Sequence, residues 1–205
     1  MKSIGISGIK SEDIIMHMAH VMEEFGLNVC VSNKNGDFMS GDIPFSEEGM
    51  VNDFDYCLYP DDLRENKFRT RDKKIIVTDI LPYNARKIRK EISDCGIFND
   101  VLLVIRDITG QNSGKNYICD LIGIKGEPII IHETKEDIFV RCRIEEGMKY
   151  KIKDLSRGMT AGITEILLRL GVITLNDIKN SGRRGHINKW EKYLRFIKKQ
   201  KEMRV

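Results

Sequence analysis

The sequence predicts an α/β protein: a doubly wound, mostly parallel sheet with helices on both faces, plus a C-terminal amphipathic helix. Three observations carry this. The chain opens on a strand–helix–strand unit, strand-like and helix-like segments alternate along most of its length, and residues 101–105 form a continuous apolar run, VLLVI. A run of that kind suits a strand buried on both faces, and alternation with crossover helices suits parallel pairing.

In order, Ser3-Ile4-Gly5-Ile6 reads as a strand ended by Ser7-Gly8. Ser11, Glu12 and Asp13 have the hydroxyl and acids of a helix start. Ile14, Ile15, Met18, Val21, Met22 and Phe25 then recur at three- and four-residue spacing until Gly26 closes the helix. Residues 27–31 return as a strand, and residues 32–53, polar and glycine-rich, read as a loop or minor elements. Further strands are expected at 54–59, stopped by Pro60, and at 74–78, 101–105 and 128–132, with helices at 84–95, 114–121 and 159–170. No internal repeat or low-complexity segment is present.

The chain has 205 residues, 41% of them hydrophobic, enough for one substantial core. Residues 1–172 are expected to form it, and 173–205 to hold a linker and a basic amphipathic helix. The formal charge is only +3, but nine Lys and Arg lie from Arg183 onward against Glu191 and Glu202. Ile187, Trp190, Leu194 and Ile197 fall on one helical stripe flanked by Tyr193 and Phe196, while Lys189, Lys192, Arg195, Lys198, Lys199 and Lys201 take the remainder. Such a helix packs back on its domain, lies in an anionic membrane interface, or meets an acidic partner or nucleic acid. Helix geometry does not separate these. The stretch 180–185 reads as a flexible linker.

Five cysteines without a CxxC pair read as reduced core residues of a cytoplasmic protein. No stretch approaches the ~20 apolar residues of a membrane span. The chain is therefore expected to be neither secreted nor integral.

The order of segments resembles the MinD/ParA-like branch of P-loop ATPases, which includes TadZ- and CpaE-like localisation proteins of pilus assembly. That family opens on a strand, a glycine-rich loop ending in Lys-Ser/Thr, a helix with "LA" near its middle, then glycine and a strand. Residues 3–8, Lys10-Ser11, Met18-Ala19, Gly26 and residues 27–31 take those places. Residues 129–132, Glu136-Asp137, Val140, Glu145-Glu146-Gly147 and residues 163–170 are similar to its closing segment. The resemblance spans roughly residues 1–171 and implies a P-loop NTPase-like domain. If the nucleotide site is retained, Gly8, Lys10, Ser11 and Asp61 are its residues, with ATP and Mg2+ as ligands.

The motif itself departs from the family's at several places. A P-loop needs glycines so that backbone N–H groups can wrap a phosphate at a helix N-terminus. Here Ile4 and Ile9 replace two of them, and only Ser7, Gly8 and Ile9 separate the strand end from Lys10. Ser32-Asn33 stands where the family has an aspartate that orients water, Pro60 where an aspartate closes "DYxxxD", and Arg106 where an asparagine reads adenine. Asp61 and Asp62 follow Pro60 at once.

The resemblance and these departures imply a degenerate, non-hydrolysing protein with no cofactor expected. It is read as a localisation or assembly factor for a membrane-associated bacterial machine such as a pilus, secretion or division apparatus. The expected partners are protein components of that assembly, an anionic membrane surface met by Trp190, Tyr193, Leu194, Phe196, Ile197, Lys198 and Lys199, and a second copy of the chain. The expected location is cytoplasmic, peripheral at the inner face of the membrane. The alternatives are an active ATPase with an atypical loop and a DNA-partition adaptor using the basic tail.

Two other groups of residues stand out. His17 and His20, three apart on the first helix, lack the further ligands a metal site needs. Asp53, Asp55, Asp61 and Asp62 suggest an acidic cluster at a strand end, where an open α/β sheet places its ligand crevice.

Overall fold

A computed structural model describes residues 1–32, 45–46, 53–96, 100–107 and 114–181. The strands are β1 (Lys2–Gly8), β2 (Val29–Ser32), β3 (Phe45–Ser46), β4 (Tyr56–Pro60), β5 (Lys73–Asp79), β6 (Val101–Asp107) and β7 (Ile129–His132). They form one sheet in the order β3-β2-β4-β1-β5-β6-β7, with every pair parallel. The helices are α1 (Glu12–Glu24), α2 (Asn66–Thr70), α3 (Pro82–Cys95), α4 (Lys115–Ile122), α5 (Lys135–Glu145), α6 (Arg157–Arg169) and α7 (Leu175–Ser181), with a 3-10 turn at Ile152–Asp154.

The continuous apolar strands have two cores to feed, because successive side chains point to opposite faces. Ile4 and Ile6 of β1, Ile75 and Val77 of β5, Val104 of β6 and Ile129 and Ile131 of β7 pack with α1 and α6. Ile76, Leu103 and Ile105 pack with Leu63, Phe68, Ala85, Ile88 and Ile92 on the other face. Each such fully buried side chain contributes about 1.5–3 kcal/mol. This is the predicted fold, with helices on both faces.

Several expectations shift. Pro60 is the last residue of β4 rather than its stop, and the ladder continues into Asp61, whose N–H donates to the Ile6 carbonyl at 3.0 Å. The helices α2, α5 and α7 were not predicted. Ile173 and Ile178 belong to the core that packs on α1, so that core continues past residue 172. Residues 180 and 181 close α7, while 182–185 and the tail residues Trp190, Tyr193, Leu194, Phe196, Ile197, Lys198 and Lys199 lie outside the described residues. Cys142 is exposed on α5, against the expectation of a core position, whereas Cys30, Cys57 and Cys95 are buried. No described helix is long and apolar enough to cross a membrane.

Candidate functional site

The carboxyl ends of β1, β5, β6 and β7 lie beside the start of α1, the edge where a doubly wound sheet binds its ligand. Between the end of β1 and the α1 N-cap, Ser11, only Ile9 and Lys10 intervene. The Ile9 N–H is spent on the Val77 carbonyl at 3.0 Å. Gly8 has φ of 121°, and a Cβ there would stand 2.0 Å from the Val77 carbonyl oxygen. Its glycine is thus required by the close approach of β5. Lys10 is exposed with φ of 51°, and Ser11 is buried without a side-chain capping bond.

One N–H of the first turn of α1 is instead met from within the chain. Asp13 is 2% exposed, and its Oδ1 accepts the Ile14 N–H at 2.9 Å. Arg106, at the end of β6, grips both oxygens of that carboxylate, Nη1 to Oδ1 at 2.8 Å and Nη2 to Oδ2 at 2.7 Å. The same guanidinium donates from Nη1 to the Lys10 carbonyl and from Nε to Glu133 Oε1. Glu133, which follows β7, is held from its other oxygen by Arg141 Nη1 at 3.2 Å. Burial opposes the Arg106 charge, but Asp13 and Glu133 outweigh it, so its pKa is held above the usual guanidinium value.

Asp13, Arg106, Glu133 and Arg141 therefore form a buried network with equal numbers of each charge. Asp13 occupies the role an external anion takes at a helix N-terminus, using a backbone N–H and complementing the dipole. A triphosphate placed there would meet two buried carboxylates and a guanidinium that is already neutralised. The charges at this turn are thus matched within the protein and do not favour a triphosphate.

Around the network lie two more buried polar groups. His17 is fully buried on α1, with Nδ1 2.7 Å from the Tyr150 hydroxyl. Burial depresses its pKa from 6.5 to about 4, with Asp13 partly opposing. Its neighbour His20 also meets the Tyr150 ring, edge-on at 4.9 Å. No three potential ligands gather into a metal site among the described residues.

The expected acidic cluster is separated by its own strand. Asp53 and Asp55 precede β4 while Asp61 and Asp62 follow it, five strand residues or about 16 Å apart. Asp55 Oδ2 accepts the Asn28 N–H at 2.9 Å, and Asp62 pairs with Arg64 at 2.7 Å. Asp61 takes Arg71 in a two-point bond, 2.8 and 2.9 Å, and the Arg71 guanidinium lies over the Tyr59 ring at 3.4 Å. A Cβ on Gly5 would come within 2.7 Å of Asp61 Oδ2, so that glycine makes room for the pair. Thus Gly8, Lys10 and Ser11 share one turn, and Asp61 is engaged on the neighbouring strand.

Sequence reasoning singled out Arg106 but missed its partners. Asp13 reads in sequence only as a helix-start acid, and Glu133 and Arg141 carry no motif. The parallel register, which sets Arg106 against Ile131 and Asp107 against His132, brings Glu133 to Arg106.

No family model matches the sequence, and no curated protein is similar to it. Solved structures are similar to it in fold. A chain of the MinC:MinD cell division protein complex from Aquifex aeolicus aligns at a TM-score of 0.61 and 13% identity, covering 85% of this chain and 98% of its own. A plasmid partition protein from Borrelia burgdorferi bound to AMPPNP aligns at 0.57 and 12%, covering 82% and 98%. A ParA family ATPase from Chlorobium tepidum TLS aligns at 0.56 and 10%, covering 80% and 98%. With its all-parallel sheet and the strand–turn–helix of β1 and α1, this chain has the fold of the MinD/ParA-like P-loop ATPases.

Proposed function

We propose that this chain keeps the MinD/ParA-like fold without its nucleotide and serves as a localisation or assembly factor for a membrane-associated bacterial machine, such as a pilus, secretion or division apparatus. The supporting observation is the Arg106–Asp13 pair, which fills the start of α1 with the protein's own ions. The departures at Ile9, Ser32-Asn33 and Pro60 point the same way, since phosphoryl transfer depends on positioning and charge stabilisation that those residues do not supply. The structural neighbour that stands in a complex with MinC supports protein partners, and a second copy of the chain is among those proposed here. The basic stretch from Arg183 supports a peripheral position on an anionic membrane, each cation near the surface contributing about 1 kcal/mol.

Co-sedimentation with anionic phosphatidylglycerol vesicles tests this reading. Binding is expected to be equal with and without ATP–Mg2+ and to be lost on removing residues 183–205. Nucleotide-dependent binding would favour a switching ATPase, and preference for duplex DNA over vesicles would favour a partition adaptor.

A further inference from the structure

We propose that the outward face of α3 is a docking surface for an acidic segment of a protein partner. Ala85, Ile88, Ile92 and Cys95 turn one side of the helix into the core. The opposite side presents Tyr83, Arg86, Lys87 and Lys90, all exposed, and Leu81 at the N-cap adds a second exposed apolar group. Tyr83 is 77% exposed and Leu81 55%.

The charges on this helix run against its dipole. A helix N-terminus favours acids and its C-terminus favours bases. In α3 the first turn holds no acid and the last no base; Arg86, Lys87, Arg89 and Lys90 come first, and Glu91 and Asp94 after them. Both α1 and α5 follow the favourable order, with acids in their first turns. Arg86 and Lys90 also stand four residues apart, where like charges repel. Neither has an ion pair among the described residues. Glu91 and Asp94 stand four residues after Lys87 and Lys90, a spacing that favours opposite charges, but Arg86 has no acid three or four residues away, so its charge is left unmatched on the helix, whereas a partner's negative charge matches it.

The shape of the patch selects the kind of partner. From Arg86 to Lys90 is about 6 Å along the axis, one helical turn. Glu91 and Asp94 follow on the same helix, and Asp62, whose pKa is lowered chiefly by its bond to Arg64, also feels the charge of Lys87. A duplex, with a charge about every 1.7 Å, would run its phosphates onto those acids. A short peptide places two or three carboxylates on Arg86, Lys87 and Lys90 and an apolar side chain over Leu81 and Tyr83. The proposal rests on the reading of the chain as a protein-binding factor, and it holds whether or not nucleotide binds.

The test is fluorescence anisotropy of the full chain with a labelled 12-residue peptide of Glu and Asp carrying two leucines, beside a neutral peptide of equal length and a 20-base-pair duplex. The acidic peptide is expected to bind in a salt-dependent way. Affinity is expected to fall about tenfold in R86Q/K90Q and about tenfold in Y83A. The R86E/K90E variant is expected to unfold at about the parent's temperature while losing the peptide. This separates a binding role from a structural one and shows that the chain remains folded. Equal binding by parent and R86Q/K90Q, or tighter binding of the duplex than of the acidic peptide, would overturn the proposal. ATP affinity plays no part in these outcomes, so this surface and the nucleotide reading fail separately.

Discussion

Arg106 and Asp13, 93 residues apart in sequence, meet through two parallel hydrogen bonds of 2.7 and 2.8 Å at the mouth of the sheet. The pair joins the end of β6 to the first turn of α1, and Glu133 extends it to the end of β7. Replacing Arg106 by methionine strands the buried Asp13 carboxylate and leaves Glu133 to Arg141 alone, and removing one partner of a buried pair costs about 3–5 kcal/mol. Denaturant unfolding of R106M is expected to show a loss of that size. The double variant R106M/D13L should lose less than the two single variants together, since its cut removes both members of the pair.

His17 sets an acid limit on stability. Its folded pKa of about 4 lies below the 6.5 of the unfolded chain, so the unfolded state binds the proton first as pH falls. The stability of the neutral, buried ring is complete above pH 6.5 and is lost between there and pH 4, by about 3 kcal/mol. H17Q removes this titration and retains a group that can share a hydrogen bond with the Tyr150 hydroxyl. Its stability curve is expected to fall less than the parent's across that interval; parallel curves would show that another group sets the limit.

Gly8 distinguishes a phosphate-loop glycine from a packing glycine. G8A forces a Cβ against the Val77 carbonyl and strains a φ of 121°, at a cost on the order of 3 kcal/mol. G26A, with open space around its Cβ and φ of 78°, is expected to cost only about 1 kcal/mol. Thermal unfolding of the two variants checks the ranking.

Asp61 holds α2 to the sheet through Arg71, with both side chains largely buried at 5% and 13% exposure. D61N retains one acceptor but leaves the guanidinium's charge uncompensated, and a loss of about 1–3 kcal/mol is expected on denaturant unfolding.

How far the sequence revealed this arrangement depends on the range of the interactions. α1, α3 and α6 were legible because their buried residues recur at helical spacing. β5, β6 and β7 were legible because their apolar runs are continuous. α5 was hidden: Val140 and Ile144 face the core, yet Ile138, Phe139 and Cys142 lie on its outer side and blur the period. Its start was nevertheless marked by the capping box of Thr134 with Asp137. The same pairing of Thr174 with Asp177 marks α7. The network at Arg106 depends on strand register and on contacts across most of the chain, which no local spacing encodes.

Calorimetric titration of the full chain with ATP–Mg2+ tests the central claim most directly. The buried Asp13–Arg106–Glu133 network predicts no saturable heat at micromolar to millimolar nucleotide. A saturable isotherm in the micromolar range, abolished by K10A, would contradict it.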